Sequence, residues 1–239
     1  MAGVGGNIVA PTRSRRRAVV LCSGDWKQGK THFALTAAKL GMLRFQSLDL
    51  GTEGVIERFI DDIRNIMLAE YSLTVQPGQA TADVIAVEAD KIWQHFCRDY
   101  YEALHDPECR TIVWDTESEV WELIRLARLG ELNPKTGRDR GNVWGPVNAE
   151  MLGLIRAALA TDKNLIMLEK VKDQYKDDKK TGRRERKGFG DAAYQAQVVC
   201  IARRDAVEGF VLDITDCRGN PELAGITIPN DFETLLSML

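Results

Sequence analysis

The chain predicts an α/β fold: a mostly parallel central sheet flanked by helices, closed near its C-terminus by a β-hairpin. Three observations carry this reading. Short apolar runs alternate with helical patterns along most of the 239 residues. The first run, Ala18 to Cys22, passes at once into a glycine turn and then a helical pattern ending at Gly41. Two late runs, Gln197 to Arg203 and Phe210 to Asp216, are separated only by a turn and read as an antiparallel pair.

The glycine turn is GDWKQGKT, Gly24 to Thr31. It fits G-x-x-x-x-G-K-[ST], the loop that wraps nucleotide phosphates. Strand, loop and helix stand in the order this chemistry needs. The turn leaves backbone N–H groups free for phosphate oxygens, and the helix N-terminus adds partial positive charge. Gly24, Asp25, Trp26, Lys27, Gln28, Gly29, Lys30, Thr31 and His32 are the expected nucleotide contacts. Lys30 is expected to reach the β- and γ-phosphates of ATP, and Thr31 to offer its hydroxyl to Mg²⁺.

Composition narrows the class. Hydrophobic content is 44%, charged content 28% and net charge −3, so the molecule is no polycation and any nucleic-acid surface must be local. Five cysteines, an odd number without a C-x-x-C pair, argue against a zinc site or a disulfide framework. They fit a reducing cytosol, so a cytoplasmic location is expected. No apolar run approaches the roughly 18 residues of a membrane span. The arginine-bearing N-terminus has no apolar core beside it and does not read as a secretory signal. Residues 1–16 read as a disordered basic arm, either a solubilising tail or a phosphate-contacting segment, and residues 17–239 as one domain.

The remaining elements follow in order. Met42 to Leu48 reads as a strand, ending in the polar turn Asp49 to Gly54. Val55 to Tyr71 carries apolar residues at helical spacing and is expected to be an amphipathic helix. Gln76-Pro77-Gly78 breaks the chain before a second helix, about Val84 to Leu104, whose aromatics read as core. Thr111 to Asp115 is a short apolar run ending in an acid, the shape of a Walker B strand, whose Asp115 is expected to hold Mg²⁺ beside Thr31. A helix from Glu117 to Leu129 follows, with Thr116, Glu117 and Ser118 near the phosphate region. Gly130 to Gly145 reads as a polar loop, and Pro146 as the opening of a helix to about Thr161. Asn164 to Leu168 reads as a strand with Glu169 at its C-terminal end, the edge where α/β sheets place ligands.

Lys170 to Lys187 is the main compositional anomaly. Nine Lys or Arg face four acids there, a local net charge of +5. The segment reads either as a solvated hairpin tip or as a mobile loop gripping a phosphate backbone through Lys179, Lys180, Arg183, Arg184, Arg186 and Lys187. Tyr175 and Phe189 are candidates to stack on bases, Phe189 equally a buried anchor. Asp231 to Leu239 reads as a closing helix with Asp231 as N-cap.

In this order of motifs the chain resembles the RecA-like P-loop NTPase core, and more narrowly the short phage-encoded RecA-family proteins that assist single-strand annealing and recombination. The resemblance runs from about Arg17 to Leu239, and only GDWKQGKT is highly specific. It implies an ATPase stimulated by single-stranded DNA, with ATP and Mg²⁺ as cofactors and Lys30, Glu53, Asp115 and Glu169 in the catalytic set. Glu53 would polarise the attacking water, with Asp49 as runner-up, and Glu169 would be the polar sensor. A homo-oligomeric ring or filament is implied, with a single-stranded-DNA-binding or annealing protein as a further partner. The family's K-x-R pair is reduced to Arg218 in Asp216-Cys217-Arg218, the candidate finger toward a neighbouring subunit. Two other readings stand beside this one. One is a nucleotide or small-molecule kinase using Arg183 to Lys187 as a lid; the other is a P-loop ATPase binding a protein partner without DNA.

Overall fold

The computed structural model describes residues 17–74, 78, 80–132, 140–177 and 179–239. The expectations for the 1–16 arm, for Gln76-Pro77 and for residues 133–139 of the polar loop lie outside those residues.

In chain order the elements are β1 (Val19–Ser23), α1 (Lys30–Thr36), β2 (Met42–Ser47), β3 (Ile66–Glu70), α2 (Ala82–His105), β4 (Cys109–Asp115), α3 (Glu117–Leu129), α4 (Arg140–Leu159), β5 (Asn164–Lys176), β6 (Lys179–Lys187), α5 (Ala192–Gln195), β7 (Val198–Asp205), β8 (Gly209–Cys217), β9 (Thr227–Pro229) and α6 (Phe232–Ser237). The sheet order is β3-β2-β4-β5-β1-β7-β8-β9, with β6 paired to β5 alone. The six strands from β3 to β7 in that order run parallel. The last two strands and the β5–β6 pair are antiparallel. This is the α/β architecture the sequence predicts.

Alternation along the strands divides the core into two layers. On one face Ile112, Trp114, Leu165 and Met167 pack under α2, α3 and α4, where Trp93, Phe96 and Tyr100 form an aromatic stack. On the other face Val20, Cys22, Val113, Ile166 and Leu168 pack under α1 and α6. β1 is buried at every position because it lies between two parallel strands and beneath helices on both faces. Arg17, the first described residue, donates to the carbonyls of Ala158 and Thr161 and ties the chain's entry to the C-terminal end of α4. All five cysteines are free thiols.

Three expectations are corrected. Val55 to Tyr71 is not a helix: it forms two 3-10 turns, Ile56–Phe59 and Ile63–Asn65, and then β3. The outer edge of β2 needs hydrogen-bond partners, and the run Ile66–Glu70 supplies them in parallel register from Leu43↔Ile66 to Ser47↔Glu70. The helix expected from Pro146 begins at Arg140 and carries Pro146 inside it. The proline forfeits a hydrogen bond of the ladder, but Val147, Met151, Leu154, Ile155 and Ala158 bury one apolar stripe that holds the element together. Last, the segment after Glu169 continues β5 to Lys176 and returns as β6, a two-stranded ribbon beyond the sheet. The segment's shape is thus a hairpin rather than a loop.

Candidate nucleotide site

The C-terminal ends of β1, β2, β4 and β7, the middle of β5 and the start of β8 converge on one cavity of about 610 Å³. Its wall includes every expected contact of the glycine loop except Gln28, whose Oε1 accepts from the backbone N–H of Arg204 at 2.6 Å. Gly29 caps α1 at φ 90°, a left-handed conformation that favours glycine. A Cβ there would lie 2.9 Å from both Asn230 and Phe210, so the turn is also closed sterically. Lys30 folds back over the loop, its Nζ donating to the carbonyls of Gly24 at 2.7 Å and Asp25 at 2.8 Å. Burial lowers its pKa, and the carboxylates of Asp115, Asp25 and Asp49 work against that shift.

Asp115 ends β4 on the α1 face, because period-two alternation from Val113 puts it there. Its Oδ2 accepts the Thr31 hydroxyl at 2.8 Å. Burial pushes the carboxyl up to about 7; Asp49 adds repulsion, and the Thr31 hydroxyl and Lys30 work against both. A carboxylate this deep is costly to ionise without a cation. A hydroxyl and a carboxylate touching each other beside the glycine loop are the oxygen donors Mg²⁺ takes. The residues present therefore fit that ion.

The turn after β2 divides the two carboxylates. Asp49 lines the cavity. Glu53 is exposed and does not. Glu169 also lies elsewhere. β5 does not end there, and alternation with Leu165 and Met167 turns Glu169 to the face opposite the glycine loop. It is buried against Glu117 and 3.7 Å from Arg186. A Cβ on Gly188 would lie 2.1 Å from Glu117 Oε2 and 2.6 Å from Glu169 Oε1, so the two carboxylates sit under that glycine. Glu117 Oε1 accepts the Phe189 N–H at 2.9 Å, and Phe189 is itself buried against Trp121. Burial pushes Glu169 up to about 7 and raises Glu117 as well, with Glu169 adding repulsion to the latter.

Lys170, one residue on, lines the cavity, as does Val171. It pairs with Glu119, and its backbone N–H donates to Ser118 Oγ at 2.9 Å. Arg58, Arg204 and Phe210 complete the wall, with His32 stacked on Phe210 at 6.3 Å and tilted on Phe59 at 5.1 Å. Phe210 was legible only as part of a strand and Arg204 only as part of the turn before it; nothing local marks them as cavity residues.

Six of the nine basic residues of the hairpin segment are paired. Lys170 holds Glu119, Lys172 holds Glu185, Lys180 holds Asp173, Arg186 holds Glu169 and Lys187 holds Glu122. Arg184 pairs with Asp173 at 2.7 Å and with Asp25 of the glycine loop, and it lines the nucleotide cavity. Lys176, Lys179 and Arg183 form no salt bridge among the described residues. Arg218 follows β8, whose other end, Phe210, is the one at the cavity, and donates to the carbonyl of Tyr194 within its own chain. Among the described residues no cluster of three metal-ligating side chains occurs, and no helix is long and apolar enough to cross a membrane.

A parallel sheet whose strand ends gather a phosphate-binding loop and a buried acid defines a P-loop ATPase. The chain belongs to the AAA domain family, whose profile matches residues 16–198. Among solved structures it is similar to one described as a prototypical ATPase from the type III secretion system of pathogenic bacteria. The TM-score is 0.51 at 13% identity, over 78% of this chain and 51% of that one, so this chain spans about half the length of its neighbour. That likeness is one of fold. No curated protein matches the chain.

Proposed function

We propose that this ATPase is Mg²⁺-dependent and acts on single-stranded DNA, in strand annealing or recombination, with the β5–β6 hairpin as its DNA contact. The observation that carries the reading is the hairpin's position. A ribbon with nine basic residues rises from the strand that also walls the nucleotide cavity, and β6 is exposed along nearly its whole length. Its exposed Tyr175 stands near the turn, with Lys180 across the ribbon. Cations and an aromatic on a projecting ribbon suit a sequence-tolerant grip on a phosphate backbone and its bases.

Within the site, Lys30 exchanges two carbonyls for phosphate oxygens, and the amides of the loop and of α1 line the same anion. Thr31 and Asp115 would hold Mg²⁺, which would supply positive charge against the phosphate oxygens. Asp49 is the carboxylate best placed to orient the attacking water, since Glu53 stands off the cavity wall. The test is ATP turnover with and without single-stranded DNA: a several-fold stimulation supports the reading, and none removes it. A second reading rests on the extensive pairing of the hairpin's cations with acids, which lowers the charge left for DNA. A protein-binding ribbon would show no DNA stimulation and a nucleotide-dependent complex with its partner. A kinase would transfer phosphate to an added nucleoside monophosphate.

A further inference from the structure

We propose that Arg184 of the hairpin reads the terminal phosphate of ATP bound in its own subunit, exchanging Asp25 for that phosphate and so distinguishing ATP from ADP. The inference deepens the nucleotide-site reading and rests on it.

Three observations converge. Arg184 lines the nucleotide cavity although it is 159 residues from the glycine loop in sequence. It is carried there by β6, whose register sets Arg184 opposite Asp173 of β5. Its two terminal nitrogens are divided: Nη1 donates to Asp173 Oδ1 at 2.7 Å, inside the hairpin, while Nη2 donates to Asp25 Oδ1. One arm of the guanidinium is thus anchored and aims the other at the loop.

Asp25 is the second observation. Its carboxylate holds Arg184 while its backbone carbonyl holds Lys30 Nζ at 2.8 Å. The same loop residue occupies both cations, and an arriving phosphate competes for both. A carboxylate and a phosphate both offer anionic oxygen acceptors to the Nη2 group, so the exchange leaves the Nη1 anchor on Asp173 in place.

The third is the cost of the exchange. The Arg184 and Asp25 side chains are 44% and 42% exposed, so their ion pair is a weak, water-screened one that a multiply charged phosphate can displace. Behind the hairpin lies a second cleft of about 470 Å³, lined in part by Ser23, Arg184, Arg186, Ile201 and Thr215, so the arginine stands between two open spaces. Glu169, the residue expected to sense the phosphate, is on the far face of the sheet, and Arg184 stands on the cavity wall instead.

The experiment is competition of AMP-PNP and of ADP, each with Mg²⁺, against mant-ADP on wild type, Arg184→Ala, Arg184→Lys and, as a control, Lys30→Ala. Arg184→Ala is expected to weaken AMP-PNP about tenfold and leave ADP within twofold. Arg184→Lys, which keeps the charge and loses the fork, should fall between, and Lys30→Ala should weaken both nucleotides. An arginine that merely tethers the hairpin would weaken both nucleotides equally, or neither; either result overturns the proposal while leaving the nucleotide site standing. Wild type that binds neither nucleotide would overturn both.

Discussion

At the residue scale the site rests on a few side chains held by partners that a nucleotide replaces. Lys30 points into the cavity, not the core, so Lys30→Ala is expected to lower ATP turnover by at least about 100-fold while the thermal midpoint stays near wild type; turnover and a melting curve check both halves. The water-orienting role separates two carboxylates of one turn. Asp49→Asn is expected to slow hydrolysis while sparing nucleotide binding, because a polarising carboxylate matters chiefly in the transition state. Glu53→Gln should leave both within about twofold, and single-turnover hydrolysis beside equilibrium binding distinguishes them. Glu169 yields a stability prediction instead. Burial raises its folded pKa to about 7 from 4.5, so the folded state binds the proton more tightly than the unfolded chain. Stability from this group is therefore full below about pH 4.5 and falls as pH rises toward 7. Glu169→Gln is expected to raise stability at pH 8 by roughly 1–3 kcal/mol, a gain that fades near pH 4. Denaturant melts at the two pH values measure it.

At the element scale the hairpin is the unit that distinguishes this chain. Its strands obey the period-two rule, but beyond Val171 neither face meets a core, so the ribbon is held by ladder hydrogen bonds and cross-strand ion pairs such as Lys172–Glu185. Such a ribbon tolerates surface changes. Replacing Lys179 and Arg183 by Ala is expected to weaken single-stranded DNA binding about equally across sequences and to reduce the salt slope by roughly 1 to 2. The midpoint of unfolding should not move. Affinity measured against salt for wild type and the double variant reads this directly, and an unchanged slope places the DNA contact elsewhere. The segment was visible in the sequence as a charge anomaly, because composition needs no geometry. Which of its cations are already paired was not visible, because their partners Glu119, Glu122 and Asp25 lie on other elements.

At the scale of the whole molecule, the sheet joins two cores, and α1 ties one of them to the site. Phe33, fully buried three residues after Lys30, meets Phe232 of α6 edge-on at 5.9 Å. Phe33→Ala is expected to cost about 3–5 kcal/mol and to weaken nucleotide binding with it, since the helix that presents Lys30 and Thr31 loses its seat; chemical denaturation and nucleotide titration together test the coupling. What the sequence determined by itself is whatever is encoded within one window. GDWKQGKT named the loop, Thr111 to Asp115 named the buried acid, and helical spacing placed α2 and α3 close to their observed bounds. Tertiary structure decided everything set by distant partners. The unpaired edge of β2 turned a helical pattern into β3, since backbone groups at a sheet edge outweigh a modest helical preference. The continuation of β5 moved Glu169 to the far face and brought Lys170 to the cavity, because on a strand a single residue reverses the side. The β5–β6 register then carried Arg184 across 159 residues of sequence to Asp25, a meeting that no local pattern records because it exists only once the sheet has formed.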